Sequence, residues 1–96
     1  MPEPVAITPH TILRRSSRIA WSRLGDEVLI TDYGSRKSHR LVNAAATIWI
    51  AIDGRVSVSA IVAGLTAAYE VSESQAESDV RDFALKLLAH GALEIA

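Results

Sequence analysis

The sequence changes its hydrophobic period at one short apolar stretch, residues 41–54 (LVNAAATIWIAIDG). Before it, apolar and polar residues alternate as in half-buried strands; after it, apolar residues recur every three or four positions, as in amphipathic helices. A chain of 96 residues builds one modest core, so we predict that this stretch is a helix at its centre. Asn43 is the predicted N-cap and Gly54 the predicted stop. One helical face carries Leu41, Ala45, Ile48, Trp49 and Ile52.

Three strands are predicted before this helix. Residues 18–24 alternate, residues 27–32 (EVLITD) are rich in β-branched side chains, and residues 37–42 (KSHRLV) lead into the helix. Gly25 and Asp26 form a two-residue turn signal between the first two strands. Strands joined by such tight turns form an antiparallel meander, whose edge strands carry unpaired backbone N–H and C=O groups.

Two more helices and a short strand follow. The second helix is predicted to begin after Ser57 as N-cap, and the third after Ser72, which forms a capping-box pattern with Gln75. Gly91 is the predicted stop of the third helix, and a short tail strand is predicted at residues 93–95. The predicted apolar stripes are Val58, Ile61, Val62, Leu65 and Tyr69, and then Ala76, Val80, Phe83, Ala84, Leu87 and Leu88.

These elements predict an α+β fold of order βββααα, with a three-stranded antiparallel sheet followed by three helices. Short connections between such helices suggest a winged helix-turn-helix-like arrangement. Pro2, Pro4 and Pro9 interrupt the first residues. We therefore expect a flexible tail over residues 1–15 and one domain over residues 16–96.

The composition and motifs argue against catalysis. The chain has no cysteine, which removes disulfides, thiolate metal sites and iron–sulfur clusters. His10, His39 and His90 lack the spacing of paired metal ligands, and no phosphate loop or nucleophile elbow is present. We therefore expect a binding module that is not an enzyme and has no cofactor. Without a signal peptide or a run of about 18 apolar residues, we expect a cytoplasmic protein with no membrane partner.

Charge is distributed unevenly along the chain. Residues 1–56 contain eight Lys/Arg and five acids, a net +3, whereas residues 57–96 contain two and six, a net −4. In a DNA-binding winged helix the third helix enters the major groove, but here its residues 73–82 carry four acids and one Arg. Phosphates would repel this helix, so no nucleic-acid partner is expected. A DNA-binding winged helix and an oligomerising interaction module are kept as alternatives.

Peptide binding is the favoured interpretation. A second chain can add a strand to the edge of a sheet, and pockets beside that edge then supply specificity. Arg36, Lys37, His39 and Arg40 lie in or just before the third strand, so we hypothesise that the bound peptide is acidic. The alternative is an ordinary solvated edge whose positive charge prevents aggregation.

An ordered set of motifs resembles the PqqD-like family, peptide chaperones that recognise precursor peptides in the biosynthesis of ribosomally made, modified peptides. The resemblance covers roughly residues 18–95 and departs from the family pattern at Val42, where the family usually has asparagine, one position before Asn43. The motifs on which the resemblance rests are W-x-x-L-x-D-E-x-L-I-x-D (residues 21–32), His39 and Leu41, A-x-x-I-W-x-x-I-D-G (residues 45–54), the spaced V-x-x-I-V-x-x-L, E-x-D-V before Phe83, and L-L-x-x-G-A-L-E (residues 87–94).

This resemblance implies a protein that binds the leader region of a precursor peptide between the third strand and the third helix. It further implies presentation of that peptide to a separate modifying enzyme, such as a radical-SAM enzyme, a leader peptidase or a cyclase. Val80 and Phe83 also fit a plain core role, because their spacing is helical. The groove residues implied by the resemblance are Lys37, Ser38, His39, Arg40, Leu41, Asp79, Val80, Phe83 and Leu87.

Overall fold

The computed structural model describes residues 7–96, which form a three-stranded sheet, three helices and a separate pair of short strands. The predicted α+β class and the order of three strands followed by three helices are confirmed. No helix within these residues is long and apolar enough to cross a membrane. The elements are β1 (Leu13–Arg15), β2 (Ile19–Leu24), β3 (Glu27–Asp32), β4 (Lys37–Leu41), α1 (Asn43–Ala51), α2 (Val58–Ala68), α3 (Glu73–Ala89) and β5 (Leu93–Ile95).

The predicted antiparallel meander is formed by β2, β3 and β4, with β4 at one edge. Ile30 pairs with Trp21 on one side and with His39 on the other, so these side chains share one face. Ile30 belongs to the same buried cluster as the apolar residues of the three helices, which therefore cover this face. The opposite face leaves Leu24 and Leu29 exposed.

The N-terminal boundary differs from the prediction, which placed residues 1–15 in a tail. Leu13–Arg15 form β1, which pairs antiparallel with β5, and Leu13 is buried in the core. The partners lie about eighty positions apart in the sequence, and three residues are too few to show an alternating pattern. The tail strand predicted at residues 93–95 is confirmed as β5. Residues 7–12 of the predicted tail are also described, and Ile12 forms an isolated antiparallel bridge with Ser57. Residues 1–6 lie outside the described residues.

Trp49 on α1 lies in the middle of the core with no exposed surface. Its ring meets the Trp21 ring edge-on, with the ring centroids 6.3 Å apart. The Arg15 guanidinium carbon lies 4.5 Å from the Trp21 ring centroid and 5.6 Å from that of Trp49. Arg15 also donates to the carbonyl oxygens of Trp49 and Ile50, at 3.1 Å each, and so satisfies acceptors at the end of α1. Burial lowers the pKa of Arg15, and the charge of Asp53 opposes that shift.

The start of α1 departs from the prediction. Leu41 belongs to β4, and Val42 is the N-cap residue without a side-chain capping bond. The prediction of Asn43 as N-cap is therefore wrong. Asn43 has φ = +54°, a left-handed conformation that asparagine tolerates better than most residues, and it turns the chain from β4 into α1. The helix ends at Ala51, before the predicted stop at Gly54.

The caps of the other two helices agree with the prediction in most respects. Ser57 and Ser72 each accept a hydrogen bond from the backbone N–H three residues ahead, at 3.3 and 3.1 Å. The second half of the capping box is absent, because the Gln75 side chain donates to Asp79 Oδ1 at 2.8 Å. Gly91, with φ = +74°, ends α3 as predicted.

Asp32 organises the turn between β3 and β4. Its Oδ1 accepts hydrogen bonds from the backbone N–H groups of Gly34 and Ser35, at 2.8 and 3.4 Å. Its Oδ2 accepts one from Arg18 at 3.3 Å. The Gly34 hydrogen bond contributes most to lowering the pKa of Asp32, and Arg18 adds to it. The ionised carboxylate therefore holds the turn that leads into the edge strand.

We expect Trp49→Ala to reduce the free energy of unfolding by about 3–5 kcal/mol, because it empties a fully buried site. Trp49→Phe should cost clearly less, since the indole N–H forms no hydrogen bond within the described residues. Trp21→Ala is the matched control, as Trp21 is 37% exposed. Urea unfolding of the three variants measures these losses. A larger loss for Trp21→Ala than for Trp49→Ala would contradict this account of the core.

We expect Asp32 to stabilise the fold in a pH-dependent manner. Its folded-state pKa is lowered, so the stabilisation is complete above the unfolded-state pKa of about 3.9 and disappears as the pH falls through the folded-state value. Asp32→Asn should therefore lose less stability than the wild type between about pH 5 and pH 2, measured by urea unfolding.

Arg18→Gln separates the two causes of this pKa shift. It removes the charged partner but keeps the Gly34 hydrogen bond, so most of the lowering should persist. NMR titration of the Asp32 carboxyl carbon measures it. A return of the Asp32 pKa to the ordinary carboxyl value in Arg18→Gln would show that the ion pair, and not the turn, dominates.

Candidate functional site

A groove of about 360 Å³ runs between the edge strand β4 and the C-terminal half of α3. Strand alternation turns Lys37, His39 and Leu41 toward it, because they pair with Asp32, Ile30 and Val28 on the helix-covered face of β3. The groove is lined by Ile19, Ile30, Asp32, Ser35, Lys37, His39, Arg40, Leu41, Ala45, Phe83, Lys86, Leu87, His90 and Ala92.

The groove has two chemically different ends. The centroids of the His39 and His90 rings lie 6.5 Å apart, with the ring planes tilted by 39°, so the middle of β4 lies next to the end of α3. Lys37 lies beyond His39 along β4, and Lys86 lies one helical turn before His90. Within residues 7–96 neither lysine forms an ion pair. This end, made by Lys37, His39, Lys86 and His90, is called the cationic end below.

The other end is apolar. Leu41 closes β4, and Phe83 lies on α3 about one turn before Leu87. Ala45 of α1 completes this lining. Leu41 and Phe83 are only partly buried and pack against the core, so part of each side chain remains open to a ligand. This end is called the apolar end below.

Arg18 joins the two walls of the groove at the cationic end. Its guanidinium donates to Asp32 in the β3–β4 turn, and to the carbonyl oxygens of His90 and Gly91 at the end of α3, at 3.4 and 3.2 Å. Terminal helix carbonyls have no partner within the helix and attract cations. Arg18 and Asp32 form an ion pair there, so Asp32 does not compensate the charge of Lys37 or Lys86, which have no ion-pair partner in the part of the chain that the structure describes.

The structure brings most of the predicted groove residues together. Lys37, His39, Arg40, Leu41, Phe83 and Leu87 line the groove, whereas Ser38, Asp79 and Val80 do not. Val80 is fully buried in the core, and Asp79 accepts its hydrogen bond from Gln75 further along α3. Ser38 lies on the opposite face of the sheet, where its hydroxyl is 3.1 Å from that of Thr31.

Arg40 touches the groove only from its rim. Its guanidinium forms an ion pair with Glu27 on the face of the sheet that carries Leu29. Arg36 lies in the β3–β4 turn, with φ = +60°. The positive charge that faces the groove therefore comes from Lys37 and Lys86 more than from the arginines singled out in the sequence.

The predicted groove residues do not include Lys86 and His90, although the sequence carries a signal for them. They follow Phe83 by three and seven positions, which places all three on one helical face. The proximity of His39 and His90 had no such signal, because it depends on how α3 packs beside β4. No group of three or more potential metal ligands is present in residues 7–96.

A second cavity, of about 420 Å³, lies on the other side of α3. Residues 7–9, α2 and the first half of α3 line it, including Glu73, Glu77 and Arg81. It adjoins neither edge of the three-stranded sheet and therefore offers no backbone groups for strand pairing. The groove beside β4 is consequently the stronger candidate site.

Two solved structures are similar to this chain over most of its length. One, TbiB1 in complex with the TbiA(beta) leader peptide, is 25% identical with a TM-score of 0.79, covering 84% of this chain and 94% of that one. The other, lasso peptide synthetase B1 complexed with the leader peptide, is 23% identical with a TM-score of 0.77, covering 85% and 96%. The second likeness is one of fold.

The family comparison agrees with the structural one. No curated protein matches the sequence significantly. The family model described as coenzyme PQQ synthesis protein D (PqqD) matches residues 27–93, which span β3 and β4, all three helices and the start of β5. Because this match covers well over half of the chain and includes both walls of the groove, the chain belongs to the PqqD family.

Proposed function

We propose that this chain is a non-catalytic peptide chaperone that binds the leader region of a ribosomally synthesised precursor peptide. Membership of the PqqD family supports this function. So does the similarity to TbiB1, whose structure was solved in complex with a leader peptide. The bound peptide would then be presented to a separate modifying enzyme.

The observation that carries the proposal is the position of a strand edge, unpaired among residues 7–96, next to a half-apolar groove. Within these residues β4 pairs only with β3, so its other side can pair with the backbone of an extended peptide. Alternate side chains of that peptide would then enter the groove, because successive residues of a strand point to opposite faces. Backbone pairing supplies affinity, and Phe83, Leu41 and the cationic end supply selectivity.

The helices and the meander support the description of the fold as winged helix-turn-helix-like, but not a DNA-binding use of it. Residues 73–82 of α3 expose Glu73, Glu77 and Asp82, and phosphates would be repelled there. An oligomerising module is the other alternative. Size-exclusion chromatography with and without peptide distinguishes this alternative from peptide binding. An oligomerising module would change its assembly state but would not bind the peptide.

The partner enzyme follows from the proposed role. A chaperone that contributes no chemistry needs an enzyme that modifies the peptide, such as a radical-SAM enzyme, a leader peptidase or a cyclase. Because precursor peptides are made on ribosomes and modified before export, the proposed place of action is the cytoplasm. A gene for such an enzyme and a short precursor reading frame next to the gene of this chain would identify the natural peptide.

We expect a synthetic leader peptide from that neighbouring frame to bind at the groove. Amide shifts in ¹⁵N-labelled full-length protein should concentrate in residues 37–42 and in α3. Phe83→Ala should weaken binding about tenfold, as expected from the loss of a partly buried aromatic contact of roughly 1–2 kcal/mol. Leu85→Ala is the matched control, because Leu85 lies on α3 outside the groove and is 38% exposed.

Two outcomes would contradict the proposed function. The first is a set of shifts concentrated at the second cavity between α2 and α3. The second is an equal loss of affinity in Phe83→Ala and Leu85→Ala, which would indicate a general effect on α3. Melting temperatures of both variants show whether a loss of affinity reflects unfolding.

A further inference from the structure

The two ends of the groove lie along the direction of β4. From Lys37 to Leu41 the strand runs from the cationic end to the apolar end. The residues that face the groove, Lys37, His39 and Leu41, are two positions apart, or about 6.8 Å along a strand. A peptide strand paired with β4 keeps this period, so its groove-facing residues are also spaced by two.

Resting on the proposed function, we propose that the groove selects a peptide segment in which an apolar residue is followed, two positions later, by an aspartate or glutamate. The apolar side chain packs against Leu41, Ala45 and Phe83. The carboxylate lies at the cationic end, between β4 and α3. An arginine or lysine at that position is rejected.

The charges around the cationic end favour a carboxylate over a metal ion or a basic side chain. Lys37 and Lys86 approach it from opposite walls, and neither has an ion-pair partner among residues 7–96. The imidazoles of His39 and His90, 6.5 Å apart, offer N–H groups that can donate to carboxylate oxygens. Asp32 is the acid in the lining, and Arg18 already pairs with it. A metal ion or a basic side chain placed here would be repelled by the positive charges of Lys37 and Lys86.

The order of the two residues follows from the direction of pairing. All the strand pairs of the sheet are antiparallel, and antiparallel pairing is the more stable kind per residue. An antiparallel peptide runs opposite to β4, and so passes the apolar end first and the cationic end second. The predicted motif is therefore apolar–any–acidic, and a parallel peptide would show the reverse order.

A displayed library of random twelve-residue peptides tests this proposal with the full-length chain as bait. We expect enriched peptides to share the apolar–any–acidic motif. For one enriched peptide, replacing its acid with lysine should weaken binding by wild-type protein about tenfold, measured by fluorescence polarisation. Lys86→Glu should remove or reverse this acid preference, because the substituted side chain lines the cationic end.

Arg81→Glu is the matched control for Lys86→Glu. Both substitutions change the net charge by the same amount on exposed positions of α3, but Arg81 lines the second cavity. The ratio of affinities for the acidic and lysine peptides should be unchanged in Arg81→Glu. An equal change of this ratio in both variants would indicate a long-range electrostatic field and would overturn the proposed carboxylate site.

The outcomes separate the proposal from the proposed function. Some outcomes would overturn the motif and leave peptide binding intact. One is a set of peptides that shift β4 and α3 resonances but show no preference for an acid. Another is a set of such peptides with the reverse order of apolar and acidic residues. A selection without any peptide that binds at the groove overturns the proposed function, and the motif with it.

Discussion

The packing of Trp49 against Trp21 and Arg15 connects most parts of this small fold. The buried indole fixes α1 beneath the sheet, and its edge-on contact with Trp21 joins α1 to the far edge strand β2. Arg15 lies against both rings and donates to the carbonyl groups at the end of α1. Since Arg15 belongs to β1, which pairs with β5, this one cluster also holds this pair of short strands against the core. Because the core has few aromatic residues, much of its organisation depends on this one cluster.

Arg18 has the corresponding role at the groove. It joins the β3–β4 turn to the end of α3 through Asp32, His90 and Gly91. These contacts hold the two walls of the groove together where its charge is highest. The Arg18 guanidinium satisfies carbonyl groups at the end of α3, and the Asp32 carboxylate balances its positive charge. Among the described residues Lys37 and Lys86 form no ion pair, so their charge is available for a ligand.

The joint between β4 and α1 links the scaffold to the groove. Asn43 adopts a left-handed conformation and Val42 stands at the N-cap position, so β4 ends at Leu41 and the helix starts almost at once. This sharp change of direction fixes Leu41 and Ala45 on neighbouring elements that share the apolar end of the groove. α1 therefore contributes to the site mainly through the position it gives to the edge strand.

The sequence alone determined the elements whose signals are local. Strand alternation, turn residues and serine caps gave the meander, the three helices and most of their ends, because each depends on neighbours within a few positions. The groove residues Lys37, His39, Leu41, Phe83 and Leu87 were implied by the family resemblance and not by these patterns, and all five line the groove. Tertiary structure decided the rest. The β1–β5 pair, the His39–His90 approach and the Arg18 contacts join residues far apart in the chain, and only packing of the whole core sets their distances. It also left Arg40 at the rim of the groove, paired with Glu27, turned Ser38 to the opposite face of the sheet and buried Val80, since a side chain's face is settled by the register and by what lies against it.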